Sequence, residues 1–248
     1  MSRPVSHRAR TRTSFLLAVL LTVLVVTFNP MSTGKELRSL LGIGQDLTFT
    51  ITDNGASEGF TFAATQPGGQ QPVTWDRCAG IEYVVNPDGA PADQRQLVSD
   101  AVADIEAASG LEVRYDGTTD DRHFRDRAGV LGSAPPVLIG WATPDEVGEL
   151  AGEVAGVGGS EAARTGTDGF TYVTGMVVLD RDAFAAMAER PGGADLQRAV
   201  IEHELAHVVG LGHVDDTGEL MYPETTSRTE LGPGDRHGLE VLGQGPCR

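Results

Sequence analysis

Three histidines and a glutamate stand at spacings that let them act on one ion. The run His203-Glu204-Leu205-Ala206-His207-Val208-Val209-Gly210-Leu211-Gly212-His213 reads H-E-x-x-H-x-x-G-x-x-H. On a helix, histidines four apart project from the same face one turn apart, so both rings can reach a single ion. Glu204 follows the first of them and is set to hold a water there as general base. Gly210 permits the left-handed backbone that ends a helix, after which the chain turns back and offers His213 as a third ligand. Three neutral nitrogens and one open position describe a catalytic zinc site with a single ion, not a closed structural one. One histidine alone would read as a solvated or core residue of an amphipathic helix; the Glu, the Gly and the third His together argue against that.

Past His213 comes Leu220-Met221-Tyr222-Pro223, and with this turn the chain resembles the metzincin zinc proteases. The spacing from His213 to the methionine resembles the matrixin, or matrix-metalloprotease-like, branch. Residues 72–86 are similar to the first strand of matrixin-like proteases of actinobacteria, and Asp235, Gly238 and Leu242 to the matrixin C-terminal helix. The resemblance covers about residues 72–248. It implies an α+β catalytic domain: a twisted mixed sheet, an active-site helix, a Met-turn and a C-terminal helix. It also implies that Met221 is an apolar floor beneath the ligands, with Tyr222 outside the metal shell. The second, structural zinc of vertebrate-type matrixins is not expected, because His123 is the sole histidine between residues 8 and 202. His123 and His237 read as surface residues. The acid clusters at 116–121 and 180–182 leave room for Ca2+, although neither has the ordered spacing of a calcium loop, and solvated acids are the default.

The ends of the chain suggest its address. Arg3, Arg8, Arg10 and Arg12 precede an apolar stretch over 15–28, the pattern of an export signal. That stretch is short for a spanning helix, yet no A-x-A cleavage site follows. An uncleaved anchor, with the arginines kept inside, is favoured slightly over a removed signal peptide. Residues 1–30 are therefore read as signal peptide or membrane anchor, 31–71 as linker, and 72–248 as one domain long enough for a full core. Formal net charge is −16, with 35 acids against 19 lysines and arginines. Since four of those arginines lie in the leader, the exported part is more acidic still, and its surface repels nucleic acid and anionic membrane.

Cys78 and Cys247 are the only cysteines. In an exported chain they read as a disulfide. The alternative is a latency switch: Arg77-Cys78 is superficially similar to the R-C-G segment with which matrixin propeptides block the zinc, but it lacks the Gly-x-Pro-Asp that follows there. Periodicity predicts strands over 81–85, 111–115, 137–141 and 172–179 and helices over 92–108, 195–209 and 234–242. The middle helix should bury Leu196, Val200, Ile201, Leu205 and Val208. A short hairpin is expected where Leu47, Phe49, Ile51, Phe60 and Phe62 alternate around Asn54-Gly55, and Gly-rich 152–160 is expected at a sheet edge.

Taken together, these residues point to an extracellular or cell-surface monomeric endopeptidase acting on protein or peptide substrates, with a zinc-activated water and Glu204 as general base. The other reading is a non-catalytic extracellular binding protein stabilised by zinc. An intact Glu204 weighs against it, because a binding protein needs no base.

Overall fold

The computed structural model describes residues 59–125, 127, 134–164, 169–224 and 227–248. The expected leader lies outside them, as do Leu47, Phe49, Ile51 and the Asn54-Gly55 turn of the expected hairpin. Five strands form one mixed sheet: β2 (Ile81–Asn86), β3 (Val113–Thr118), β4 (Val137–Ala142), β5 (Gly156–Arg164) and β6 (Phe170–Asp180), in the order β3-β2-β4-β6-β5. All neighbours are parallel except β5, which runs antiparallel to β6 and forms one edge. The Gly-rich stretch thus lies at a sheet edge. The α+β class and mixed sheet are those the sequence implies.

The helices are α1 (Gln94–Ser109), α2 (Arg181–Ala188), α3 (Gly193–Val209) and α4 (Pro233–Gly243). Leu97, Val98, Ala101, Val102 and Ile105 of α1 recur at helical spacing and are buried against the sheet and α3. Trp141 of β4 and Phe184 of α2 meet edge to face at 6.2 Å, a favourable geometry for aromatic rings. Cys78 and Cys247 are joined as a disulfide, with Cα atoms 5.1 Å apart, which ties the C-terminus to the segment before β2.

Three expectations need correction. The helix α2 was not anticipated, because Asp180, Arg181 and Asp182 read as a charge cluster. Asp180 is buried and caps α2, accepting from the Ala183 N–H at 2.7 Å, as N-cap aspartates do. The stripe of α3 also differs. Leu196 and Val200 are only partly buried, whereas Gln197, Glu202 and Glu204 are buried with Ala199, Ile201, Leu205, Ala206 and Val208. A helix enclosed on several sides loses the simple amphipathic period. Finally, the chain from Gly59 onward is part of the fold and not a linker. Thr61–Phe62 (β1) pairs antiparallel with Leu211–Gly212 (β7), and Gln66 donates to the Phe170 carbonyl and accepts from its N–H, both at 2.8 Å.

Candidate metal centre

The helix α3 carries His203 and His207 one turn apart and ends at Gly210, whose φ is 128°. A Cβ there would also lie 3.0 Å from the Tyr172 ring, so glycine is required for its backbone and for space. The chain reverses through β7 and presents His213. Its Nε2 lies 3.1 Å from the Nε2 of His203 and 3.1 Å from that of His207. The motif residues are thus brought together at one point.

The outer nitrogens fix how these rings are protonated. His203 Nδ1 is 2.7 Å from the Leu220 carbonyl and His207 Nδ1 is 2.8 Å from the Leu211 carbonyl. A carbonyl can only accept, so both Nδ1 atoms carry the hydrogen and both Nε2 atoms present lone pairs inward. A single hydrogen on His213 Nε2 could serve only one of them. Burial, offset in part by the Leu220 hydrogen bond, holds the pKa of His203 below its usual value. Burial first, then the neighbouring rings, drives His207 well below it and brings His213 to about 4. All three are neutral at pH 7, the state a metal ligand needs. A tetrahedral zinc with Zn–N near 2.0–2.1 Å would separate its nitrogens by about 3.3 Å, close to what is found. The donor set fits such an ion.

Glu204 lies on the same turn and is buried. Burial pushes its carboxyl up to about 8, against the pull of the Gly158 N–H. Among the described residues it takes part in no ion pair. Met221 is almost wholly enclosed at 1 % exposure, and its carbonyl accepts from the Val214 N–H at 3.0 Å. The turn bearing it is bound to α4 by an exchange of carboxyl groups. Asp235 of α4 accepts from the N–H groups of Leu220, Met221 and Gly232, while Glu219 of the turn accepts from the Asp235 N–H at 2.9 Å. Since the Leu220 carbonyl holds His203, this exchange supports a ring of the cluster.

Glu219 and Thr61 were missed by sequence reasoning. The Thr61 hydroxyl donates to the His213 carbonyl at 2.8 Å. The only available signal was the alternation of Phe60 and Phe62, which flagged a strand without naming its partner. Asp121, in one of the two acid clusters considered for calcium, is committed to Arg127 at 3.0 Å and to His123; Asp180, in the other, is the cap of α2. His123 and His237 are exposed, His237 stacking edge-on against Phe60. Among the described residues, the other convergent group of ligand-type side chains is Asp76, Cys78 and Cys247, and both its sulfurs are in the disulfide.

The cluster thus sits on the central helix of an α+β fold and is followed by a turn that buries its methionine. Residues 153–242 match the matrixin family model, and this part of the chain is matrixin-like. No curated protein matches the chain. Solved structures that resemble it include three of low identity. Archaemetzincin from Methanopyrus kandleri is 14% identical over 67% of this chain and 97% of its own, with a TM-score of 0.44. The GM1-bound ECX AB5 holotoxin is 12% identical over 76% and 92%, at 0.42. High choriolytic enzyme 1, a hatching enzyme zinc-protease from Oryzias latipes, is 12% identical over 71% and 95%, at 0.37.

Proposed function

We propose that this protein is an exported zinc-dependent endopeptidase in which His203, His207 and His213 hold one ion and Glu204 is the general base. The observation that carries this reading is the convergence of three neutral, inward-facing histidine nitrogens beside a buried carboxylate that pairs with no cationic side chain among the described residues. Bound there, zinc would polarise the scissile carbonyl and make a water acidic enough to attack near neutral pH. Glu204 would take the proton from that water and pass it to the leaving amine nitrogen. The carbonyls of Leu220 and Leu211 keep the His203 and His207 rings in the donor tautomer and orientation. Met221 would form the apolar floor. The free edge of β5 offers main-chain groups with which an extended peptide can pair.

The proposed address is outside the cell, with residues 1–30 as signal or anchor. Support comes from the basic and apolar leader and from the Cys78–Cys247 disulfide, since such bonds persist in oxidising compartments. Among the described residues no helix is long and apolar enough to cross a membrane. The test is incubation of the full-length chain with a mixed peptide library, with and without a zinc chelator. Internal cuts that stop with the chelator and return with added zinc are expected. A folded, zinc-loaded chain that leaves every peptide intact would favour the binding-protein reading instead.

A further inference from the structure

The edge strand β5 meets α3 at the residue assigned as base. Gly156 and Gly158 stand two apart and so face the same way from the strand. A Cβ on Gly156 would lie 2.9 Å from both Cγ and Oε1 of Glu204 and 3.2 Å from Cδ. A Cβ on Gly158 would lie 2.9 Å from the Glu204 Cα and closer still to its carbonyl oxygen. Neither glycine has a positive φ, so backbone freedom does not explain them. The carboxylate occupies the volume where a residue at 156 would place its side chain.

We propose that Gly156 and Gly158 are positioning residues that form the seat of Glu204: Gly156 by leaving space for its carboxylate, Gly158 by letting the strand approach the main chain of the turn that carries it. This rests on Glu204 being the base. The substrate-pairing edge and the support of the base are then one strand, so its register also sets the distance between peptide and carboxylate. An alanine at 156 has no backbone penalty, and the three nearest atoms it meets all belong to the Glu204 side chain. At 158 it would strike the main chain of α3, and the whole helix would have to move.

The test is Gly156→Ala in the full-length chain, beside Glu204→Ala, the double variant, and Gly148→Ala as a control. A Cβ at 148 meets nothing within 4 Å. Gly156→Ala should lower kcat on the order of 100-fold, as small misplacements of reacting groups do, with KM and zinc content unchanged. Gly148→Ala should stay within about two-fold of the parent. If Gly156→Ala also lowers the melting temperature, Glu204→Ala in the same chain should restore it, because the clashing atoms are gone. Parental kcat in Gly156→Ala overturns the seat. So does a melting loss that Glu204→Ala leaves in place, since the crowding would then lie elsewhere. Should Glu204→Ala alone turn over like the parent, the assignment of the base fails first, and that result is distinct from the others.

Discussion

Glu202 and Glu204 stand two residues apart on one helix. Both are buried, and burial pushes each carboxyl up to about 8. Their surroundings differ. Glu202 faces α1 and pairs with Arg198, which also reaches Asp104 at 2.6 Å and the Thr229 carbonyl at 3.2 Å. Its charge is matched by the protein. Glu204 faces β5, where Gly156 and Gly158 approach it, and among the described residues it pairs with no cationic side chain. A buried carboxylate without a cationic side chain costs stability unless something else supplies the charge. The comparison therefore separates a carboxylate tied into the fold from the one proposed as general base.

Substitutions should widen that difference. The largest effect is expected from His207→Ala, which removes one of the three proposed ligands: metal analysis should find zinc lost and peptide turnover abolished. Next, Glu204→Gln should lower kcat by 10²–10⁴-fold, the usual share of a general base, while melting temperature holds, because glutamine keeps the shape of the buried carboxyl. Glu202→Gln should do the reverse, costing about 1 kcal/mol as Arg198 exchanges one charged partner for a neutral one and leaving kcat near the parent's. If Glu202→Gln also cost turnover at unchanged zinc content, the division of roles would fail.

Smaller effects test the supports. Reducing the disulfide, which spans 169 residues of sequence, should destabilise by about 2–5 kcal/mol on the chain-entropy account, read as a lower denaturation midpoint. Thr61→Val should cost about 1 kcal/mol and weaken zinc retention against a chelator, because the His213 carbonyl loses its donor. The smallest is a pH effect. Despite partial burial, hydrogen bonds from the His123 backbone and ring and from Arg127 hold Asp121 down to about 2 from 3.8. A depressed carboxylate stabilises the fold above its unfolded value and loses that contribution as pH falls through the folded one. Asp121→Asn should therefore flatten the acid limb of the stability curve between pH 3.8 and about 2.

The candidate set was legible because its spacing is local. His203, Glu204, His207 and His213 lie within eleven residues, and helix geometry alone brings His203 and His207 to one face. The Met-turn follows closely enough to be read with them. What supports them was not legible, since each support depends on a contact distant in sequence. Thr61 bonds a carbonyl 152 residues away, and Ser160 of β5 donates to the Val208 carbonyl 48 residues on. Glycines at 156 and 158 could be read as an edge strand, but nothing local says which side chain fills their missing volume. Asp180 carried a readable signal, an aspartate ahead of Ala-rich helical sequence, that its charged neighbours disguised.

The central claim is that the histidines hold the ion and Glu204 does the proton transfer. It is tested most directly by measuring zinc content and internal peptide cleavage side by side in the parent and Glu204→Ala. One zinc per chain in both, with chelator-sensitive cleavage in the parent alone, is the predicted result. Equal cleavage by the two zinc-loaded proteins would contradict it.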